Sequence, residues 1–337
     1  MFEKHVSLKA FNTFGIDVKS ELFANISTVD SLRELAESAP FKNQDRLILG
    51  GGSNILFTRD FKGLVIKNEL KGIELIGEDD NHYFVKAWAG ERWHDLVMHC
   101  VENGYAGIEN MALIPGSVGA SPIQNIGAYG AEIKDVFHSL EAFHVDEKIT
   151  KTFSHEECGF GYRDSVFKQH EKGKWIILSV TYRLLKRPAL NTAYGAIEQE
   201  LERMEVEHIK ISDVAQAVMS IRMSKLPNPE HIGNAGSFFK NPVVPLSIFR
   251  EIQKHHNNAP SFPIDEELVK VPAGWLIEKA GWKGKSLGRY GVHDMQALVL
   301  VNYGGATGKE IYDLSTRIIE DIQDQFSITL EREVNIL

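Results

Sequence analysis

Residues 114–130 read Ile114-Pro115-Gly116-Ser117-Val118-Gly119-Ala120-Ser121-Pro122-Ile123-Gln124-Asn125-Ile126-Gly127-Ala128-Tyr129-Gly130, a stretch with four glycines and no charged side chain. A connection this long without a helical or strand pattern is usually functional. Its glycines allow close backbone approach. The amides of Gln124 and Asn125 and the hydroxyls supply donors and acceptors without a charge that must be neutralised. A flat heterocycle such as a flavin or a nucleotide suits this lining. Upstream, the apolar run Leu47-Ile48-Leu49 leads into Gly50-Gly51-Gly52-Ser53-Asn54. Three successive glycines lack the Cβ atoms that would hold a ligand away from backbone N–H groups, so the turn can cup a diphosphate. It lacks GxGxxG spacing, no GK[ST] follows, and the next element, 63–67, reads as a strand. A tight turn between two strands is the plainer reading of the same five residues.

Around these loops the pattern is mixed α and β. Helical spacing puts Leu32, Leu35, Ala36 and Ala39 on one face of 28–39, behind a Ser27 or Thr28 cap. Trp93, Leu96, Val97, Cys100 and Val101 share a face of 91–103, which stops at Gly104. Strands are expected at 46–49, 63–67, 82–89 and 175–184, the last with alternating burial. Beyond Arg187, Pro188, Asn191 and Gly195 bracket a polar loop, and Ser212 is expected to cap a helix carrying Val214, Ala217, Val218 and Ile221. Lys225-Leu226-Pro227-Asn228-Pro229 cannot continue that helix, which places a domain boundary near 223–229. Residues 308–325 give the clearest helix, with Ile311, Leu314, Ile318, Ile322 and Phe326 in one stripe. The chain closes on 328–337, read as a strand with Glu331 and Glu333 opposite its apolar face.

Composition excludes several classes. The chain has 337 residues, 43% hydrophobic and 25% charged, which suits two or three ordinary globular domains. Its formal net charge of −9, from 46 acidic and 37 basic residues, gives no basic field for nucleic acid or anionic lipid. Cys100 and Cys158 have no CxxC spacing, and Cys100 lies on an apolar helix face, so a reducing, cytoplasmic setting is expected. No segment reads as a membrane span or an export signal. The thirteen histidines, including His255-His256, show no ligand spacing, so no metal is inferred. His293-Asp294 receives no role.

Asn12-Thr13, 50–54, 115–130, Gly161-Tyr162-Arg163-Asp164-Ser165 and 233–242 together resemble the UDP-N-acetylenolpyruvoylglucosamine reductase (MurB) family. Pro122 to Gly130 and Gly233-Asn234-Ala235-Gly236-Ser237-Phe238-Phe239-Lys240-Asn241-Pro242 are the longest of these motifs, and the resemblance runs the length of the chain. It implies an α+β protein: a PCMH-type, vanillyl-alcohol-oxidase-like FAD-binding domain of two subdomains, plus a C-terminal α+β substrate-binding domain. The expected division is 1–70, which strand 328–337 can join, then 71–222 with a lid loop near 188–196, then 223–327. FAD is expected to be non-covalent, because the turn 50–54 holds neither His nor Cys. Its diphosphate is assigned to Gly50, Gly51, Gly52, Ser53 and Asn54. Its remaining parts are assigned to Ile114, Pro115, Gly116, Ser117, Gly119, Ala120, Gln124, Asn125, Gly127 and Ala128.

The reaction so implied is NADPH-dependent reduction of the enolpyruvyl ether of UDP-N-acetylglucosamine to UDP-N-acetylmuramate, in peptidoglycan precursor synthesis. A hydride passes from NADPH to flavin N5 and then to C3 of the enolpyruvyl group, and a proton must reach C2. Ser237 resembles the proton donor, Arg163 the group that steadies the enolate through the substrate carboxylate, and Glu333 the third catalytic residue. Tyr129 and Tyr162 carry over to the sugar, Tyr194 and Lys225 to the diphosphate, Asn241 and Gln296 to the remaining polar groups. Tyr194 matches the lid tyrosine of the family's longer subtype, and a monomer is expected. Bland readings stand beside each: Ser237 satisfying a turn amide, Arg163 paired with Asp164, Glu333 merely solvated. Two other functions fit the glycine loops, a flavin-dependent oxidase of a sugar or hydroxy acid and a non-enzymatic flavin or nucleotide-sugar binding module.

Overall fold

The strand expected over 175–184 runs Trp175–Leu185 at the centre of a five-stranded antiparallel sheet, in the order Thr150–Ser154, Phe137–His144, Trp175–Leu185, His82–Trp88, Ile73–Glu78. Its burial does not alternate: every residue from Ile176 to Tyr182 is buried. The register explains why. Glu141 pairs with Ser179 but Ala142 with Ile177, which leaves Leu178 as the extra residue of a β-bulge. Ile176 and Leu178 therefore enter one core, whereas Val180, Tyr182 and Leu184 enter another. One inserted residue reverses the facing of the strand and lets it serve two cores.

The computed structural model describes residues 2–337. Two compact units form. The first takes the chain up to Val6, Ser20–Gly51 and Lys62–Ser224, and the second takes Ser7–Lys19, Gly52–Phe61 and Lys225–Leu337. Besides the five-stranded sheet, the first unit holds a smaller one in the order Glu3–Lys4, Ser20–Ile26, Phe61–Asn68, Arg46–Leu49. Beside that sheet, the helix Val29–Glu37 buries Leu32, Leu35 and Ala36. Its start is fixed by a capping box in which the Ser31 N–H donates to Thr28 Oγ1. Ala39 departs from the expectation: Ser38 caps a new short helix, Ala39–Asn43, and Ala39 is exposed.

The helix Trp93–Glu102 stops as expected, with Gly104 in the left-handed region at φ +77° and Cys100 fully buried. Burial also raises the Cys100 thiol pKa, which leaves it inert. The helix Ile211–Lys225 does not begin on a Ser212 cap. Ser212 is its second residue, and the carboxylate of Asp213 instead accepts from the Lys210 N–H. Three further helices were not legible as such: Gly195–Arg203, Leu246–His255 and Ala273–Lys279.

In the second unit, the antiparallel sheet Gly233–Ser237, Val299–Asn302, Tyr290–Val292 packs against the helix Gly308–Phe326. Ile311, Leu314, Ile318, Ile322 and Phe326 are all buried, and a Thr307–Glu310 capping box starts the helix. A smaller sheet joins Val243–Pro245, Leu268–Lys270 and Phe262–Pro263. The closing segment corrects the expected strand 328–337. Ile328, Leu330 and Val334 are buried, but only Asn335–Ile336 is ladder-paired, in parallel with Ile55–Leu56. Just before it, Lys240 N–H donates to Glu331 O and Glu333 N–H to Phe238 O, so the extended chain runs beside 238–240.

Candidate active site

In the first unit the two glycine loops touch. A Cβ on Gly50 would lie 2.2 Å from Ser117 Oγ, and one on Gly51 would lie 2.8 Å from Gly116 Cα. These two glycines thus admit the second loop. In the second unit, Gly52 adopts φ +63° and passes the Phe11 carbonyl so closely that a Cβ would lie 2.0 Å from its oxygen. The Asn12-Thr13 motif fastens this region: Thr13 N–H donates to Gly52 O, and the Thr13 carbonyl accepts from Asn234 N–H. The glycine spacing is therefore set first by backbone packing.

The loop 114–130 is more ordered than its composition suggests. A 3-10 turn spans Val118–Ala120, a two-residue hairpin pairs Gly127–Ala128 with Ala131–Glu132, and a Cβ on Gly119 would meet Ala89 Cβ at 2.6 Å. Asn125 is completely buried in the left-handed region. Its Nδ2 donates to Gly161 O and to Glu132 Oε2, while its Oδ1 accepts from Lys134 N–H. Arg163, also left-handed, donates from Nη2 to Gly127 O at 2.8 Å, and its guanidinium lies 3.7 Å from Glu132 Oε1 and over the Tyr162 ring. Loop and arginine are thus built as one piece.

At the far end of that loop, Asn110 Nδ2 donates to both Tyr129 O and Asn191 O, and Asn191 Nδ2 donates to Gly130 O. These bonds dock 188–194 on the glycine loop. Tyr194 stands edge-on to Tyr129, with ring centroids 5.4 Å apart, and remains half exposed. Burial raises the Tyr129 pKa, and the guanidinium of Arg222 opposes that rise.

Arg222 is a residue the sequence reading missed. Its Nε is buried with no hydrogen-bond partner, and no carboxylate pairs with it among the described residues. Lys67, also missed, donates from Nζ to Gly50 O at 2.7 Å, and burial lowers its pKa. Both cations lie beside the glycine loops. A signal for Arg222 was present: it lies four residues after buried Val218 and seven after buried Ala215, on the apolar stripe of its helix.

In the second unit, Ser237 ends a strand that carries an irregularity between Asn234 and Ser237. Gly236 takes φ +68°, and buried Asn234 accepts from its N–H. The Ser237 side chain is exposed, and its hydroxyl bonds no protein group among the described residues. Three residues on, Lys240 is engaged by Glu331 at 2.5 Å. Glu333 is tied to the same segment through its N–H, and Asn54 Nδ2 donates to its carbonyl. Ser237 and Glu333 therefore lie together, on the unit that does not contain Arg163.

Asn241 and Gln296 converge on one helix start. Asn241 Oδ1 accepts from Ala273 N–H, and Gln296 Oε1 lies 3.3 Å from the position of a Cβ on Gly274. Lys225 is exposed, and His293 accepts from the Met295 N–H through Nδ1. A surface groove of about 450 Å³ over Phe137, His138, His155 and Arg183 contains none of the candidate residues.

For FAD the donor set fits. In the first unit the segments around Gly50–Gly51 and Gly116–Ser117 approach each other, Lys67 sits at Gly50 O, and the Nε of Arg222, beside Tyr129, is buried without a hydrogen-bond partner. Residues 20–152 match the family described as "FAD binding domain", and 228–337 match "UDP-N-acetylenolpyruvoylglucosamine reductase, C-terminal domain". The chain is 48% identical over 336 residues to the UDP-N-acetylenolpyruvoylglucosamine reductase of Flavobacterium johnsoniae, with 99% of each chain covered. It is 47% identical over 335 residues to that of Amoebophilus asiaticus, again with 99% of each covered. A crystal structure of the Thermus caldophilus enzyme of the same name superposes with a TM-score of 0.70 at 23% identity, covering 100% of this chain and 98% of that one, which shows the shared fold. The protein is thus an FAD-dependent oxidoreductase with an FAD-binding domain. It belongs to the UDP-N-acetylenolpyruvoylglucosamine reductase, or MurB, family. No helix among the described residues is long and apolar enough to cross a membrane.

Proposed function

We propose that the protein reduces the enolpyruvyl ether of UDP-N-acetylglucosamine to UDP-N-acetylmuramate with NADPH, in peptidoglycan precursor synthesis in the cytoplasm. The observation that carries this reading is the Ser237 hydroxyl, exposed, without a partner among the described residues, and seated beside the segment of Glu333. A serine that capped a turn would have spent that hydroxyl. FAD, when bound, supplies the two-electron relay between NADPH and C3 of the enolpyruvyl group. Ser237 gives its proton to C2, a step open to so weak an acid only against a strongly basic enolate. Arg163 presents its planar fork to the substrate carboxylate, held in place by Gly127 O and Glu132. Glu333 orients the enolpyruvyl group.

Gly50, Gly51, Gly52, Ser53 and Asn54 receive the diphosphate of a non-covalent FAD, and the stretch from Ile114 to Ala128 receives the rest. Tyr129 and Tyr162 contact the sugar, Tyr194 and Lys225 the substrate diphosphate, and Asn241 and Gln296 its other polar groups. Tyr194 acts as a lid, supported by its edge-on seat against Tyr129. We assign 1–70 and 71–222 to two FAD-binding subdomains and 223–327 to the substrate domain, in a monomer. The test is NADPH consumption by purified, FAD-loaded protein. Consumption dependent on the enolpyruvyl sugar nucleotide is expected; its absence, or peroxide release from a sugar or hydroxy acid under oxygen, overturns the reading.

A further inference from the structure

Glu331 and Glu333 lie two residues apart in the closing segment, so a slip of that segment by two residues would exchange one carboxylate for the other without turning any side chain to a new face. Alternation alone does not tell the two registers apart. In the observed register Phe239 stands opposite Arg332 in an antiparallel bridge, Lys240 N–H donates to Glu331 O, and Glu333 N–H donates to Phe238 O. Lys240 therefore faces Glu331, and Phe238, the residue after Ser237, faces Glu333. Asn54 Nδ2 also bonds the Glu333 carbonyl, but an extended chain offers a carbonyl on that side at every second residue, so this bond does not choose the register.

One side-chain contact in the ladder reads the register directly. Lys240 Nζ donates to Glu331 Oε1 at 2.5 Å, and the slipped register would bring Thr329, which carries no charge, to the place of Glu331. Arg332 fixes the segment on the helix Gly308–Phe326 through Ser315 and Thr316, whereas the Lys240–Glu331 pair fixes it on the chain that carries Ser237. Glu331 is largely exposed, so the pair adds little to global stability. Its consequence is alignment. We propose that Lys240 and Glu331 are positioning residues for the reaction: their ion pair locks the closing segment in the register that sets Glu333, and not Glu331, beside the Ser237 turn. The inference rests on the roles proposed above for Ser237 and Glu333.

The test separates the two half-reactions. FAD-loaded wild type, K240M, E331Q, the double variant K240M/E331Q and the exchanged pair K240E/E331K are followed by stopped flow. Flavin reduction by NADPH is expected to stay within about twofold of wild type in all of them, while reoxidation by the enolpyruvyl sugar nucleotide slows about fivefold in each single variant. The double variant is expected to be no slower than the singles, and the exchanged pair to recover most of the rate, because the interaction rather than either charge is what counts. Amide exchange at Glu333, whose N–H donates to Phe238 O, should quicken in step with the loss. Wild-type reoxidation and exchange in E331Q overturn the proposal. So does a loss confined to K240M, which would make Lys240 a substrate-facing charge, and so do additive single losses that the exchanged pair does not recover. Equal losses in both half-reactions overturn it as well, since they would show general destabilisation. Quicker Glu333 exchange with unaltered reoxidation would instead sink the role proposed for Glu333, on which the inference rests.

Discussion

Arg163 and Ser237 are built in opposite ways. Around Arg163 the polar groups are satisfied by the chain itself: Asn125 makes three bonds, Arg163 bonds Gly127 O, and Glu132 accepts from Asn125 and faces Arg163. Around Ser237 the backbone is fixed by Asn234, Phe238 and Glu333, yet the hydroxyl has no partner among the described residues. Under the roles proposed above, the group that would hold charge in one place is buttressed, whereas the group that would surrender a proton is left uncommitted.

Ser237→Ala is the sharpest way to break this contrast. It removes no protein hydrogen bond, so thermal stability is expected to stay within about 0.5 kcal/mol of wild type. Stopped-flow measurement should show unchanged flavin reduction by NADPH and a loss of about 10² to 10⁴ in the half-reaction with the enolpyruvyl sugar. Equal losses in both half-reactions would remove Ser237 from its role as acid.

Asn125→Ala probes the buttressed side and has the reverse signature. It strands buried partners and places alanine at φ +45°, a conformation asparagine tolerates better. Denaturant unfolding should show a loss of about 3 kcal/mol. A stable variant with wild-type melting would mean the loop does not depend on this node. Arg332→Ala sharpens the other side. Arg332 donates to buried Ser315 Oγ and to Thr316 Oγ1 and lies over Tyr312, which fixes the residue next to Glu333. About a tenfold loss is expected in the second half-reaction. Lysine cannot reproduce the fork and should not rescue it, and full rescue by Arg332→Lys would show that charge alone matters there.

What was legible in the sequence follows from how local its cause is. The stripe of 308–326 and the stop at Gly104 are written in residues that act on their own turn of chain, and both appear where expected. Ala39 and Ser212 failed because the helix boundary is set by a neighbouring residue: Ser38 caps a new helix in one case, and in the other the helix starts a residue before Ser212, with Asp213 accepting the Lys210 N–H. The Leu178 bulge left no trace, since an apolar strand reads the same with or without an extra residue. The glycines of 50–54 were noticed, but their nearest neighbours, the Ser117 side chain at Gly50 and backbone at Gly51 and Gly52, are brought to them only by the fold. Arg222 could have been found, because a charged residue on an apolar helix stripe asks for a partner that the sequence does not name.

The smallest expected effect tests the same buttressed region through pH. His94 accepts the Leu113 N–H through Nδ1, and its pKa lies below the ordinary histidine value, chiefly through burial; Asp95 opposes the shift, and Arg92 and Arg222 add to it. The folded chain thus keeps His94 neutral at a pH where the unfolded chain has begun to bind a proton. Stability from the neutral ring is complete above the unfolded pKa of about 6.5 and is lost as pH falls below it. Denaturant midpoints of the FAD-free protein should therefore fall between pH 7.5 and 5.5. His94→Asn, which can still accept the Leu113 bond, should shrink that fall. Identical pH dependence in variant and wild type would show that other groups control the acid limb and that His94 is not part of the desolvated cluster around Arg222.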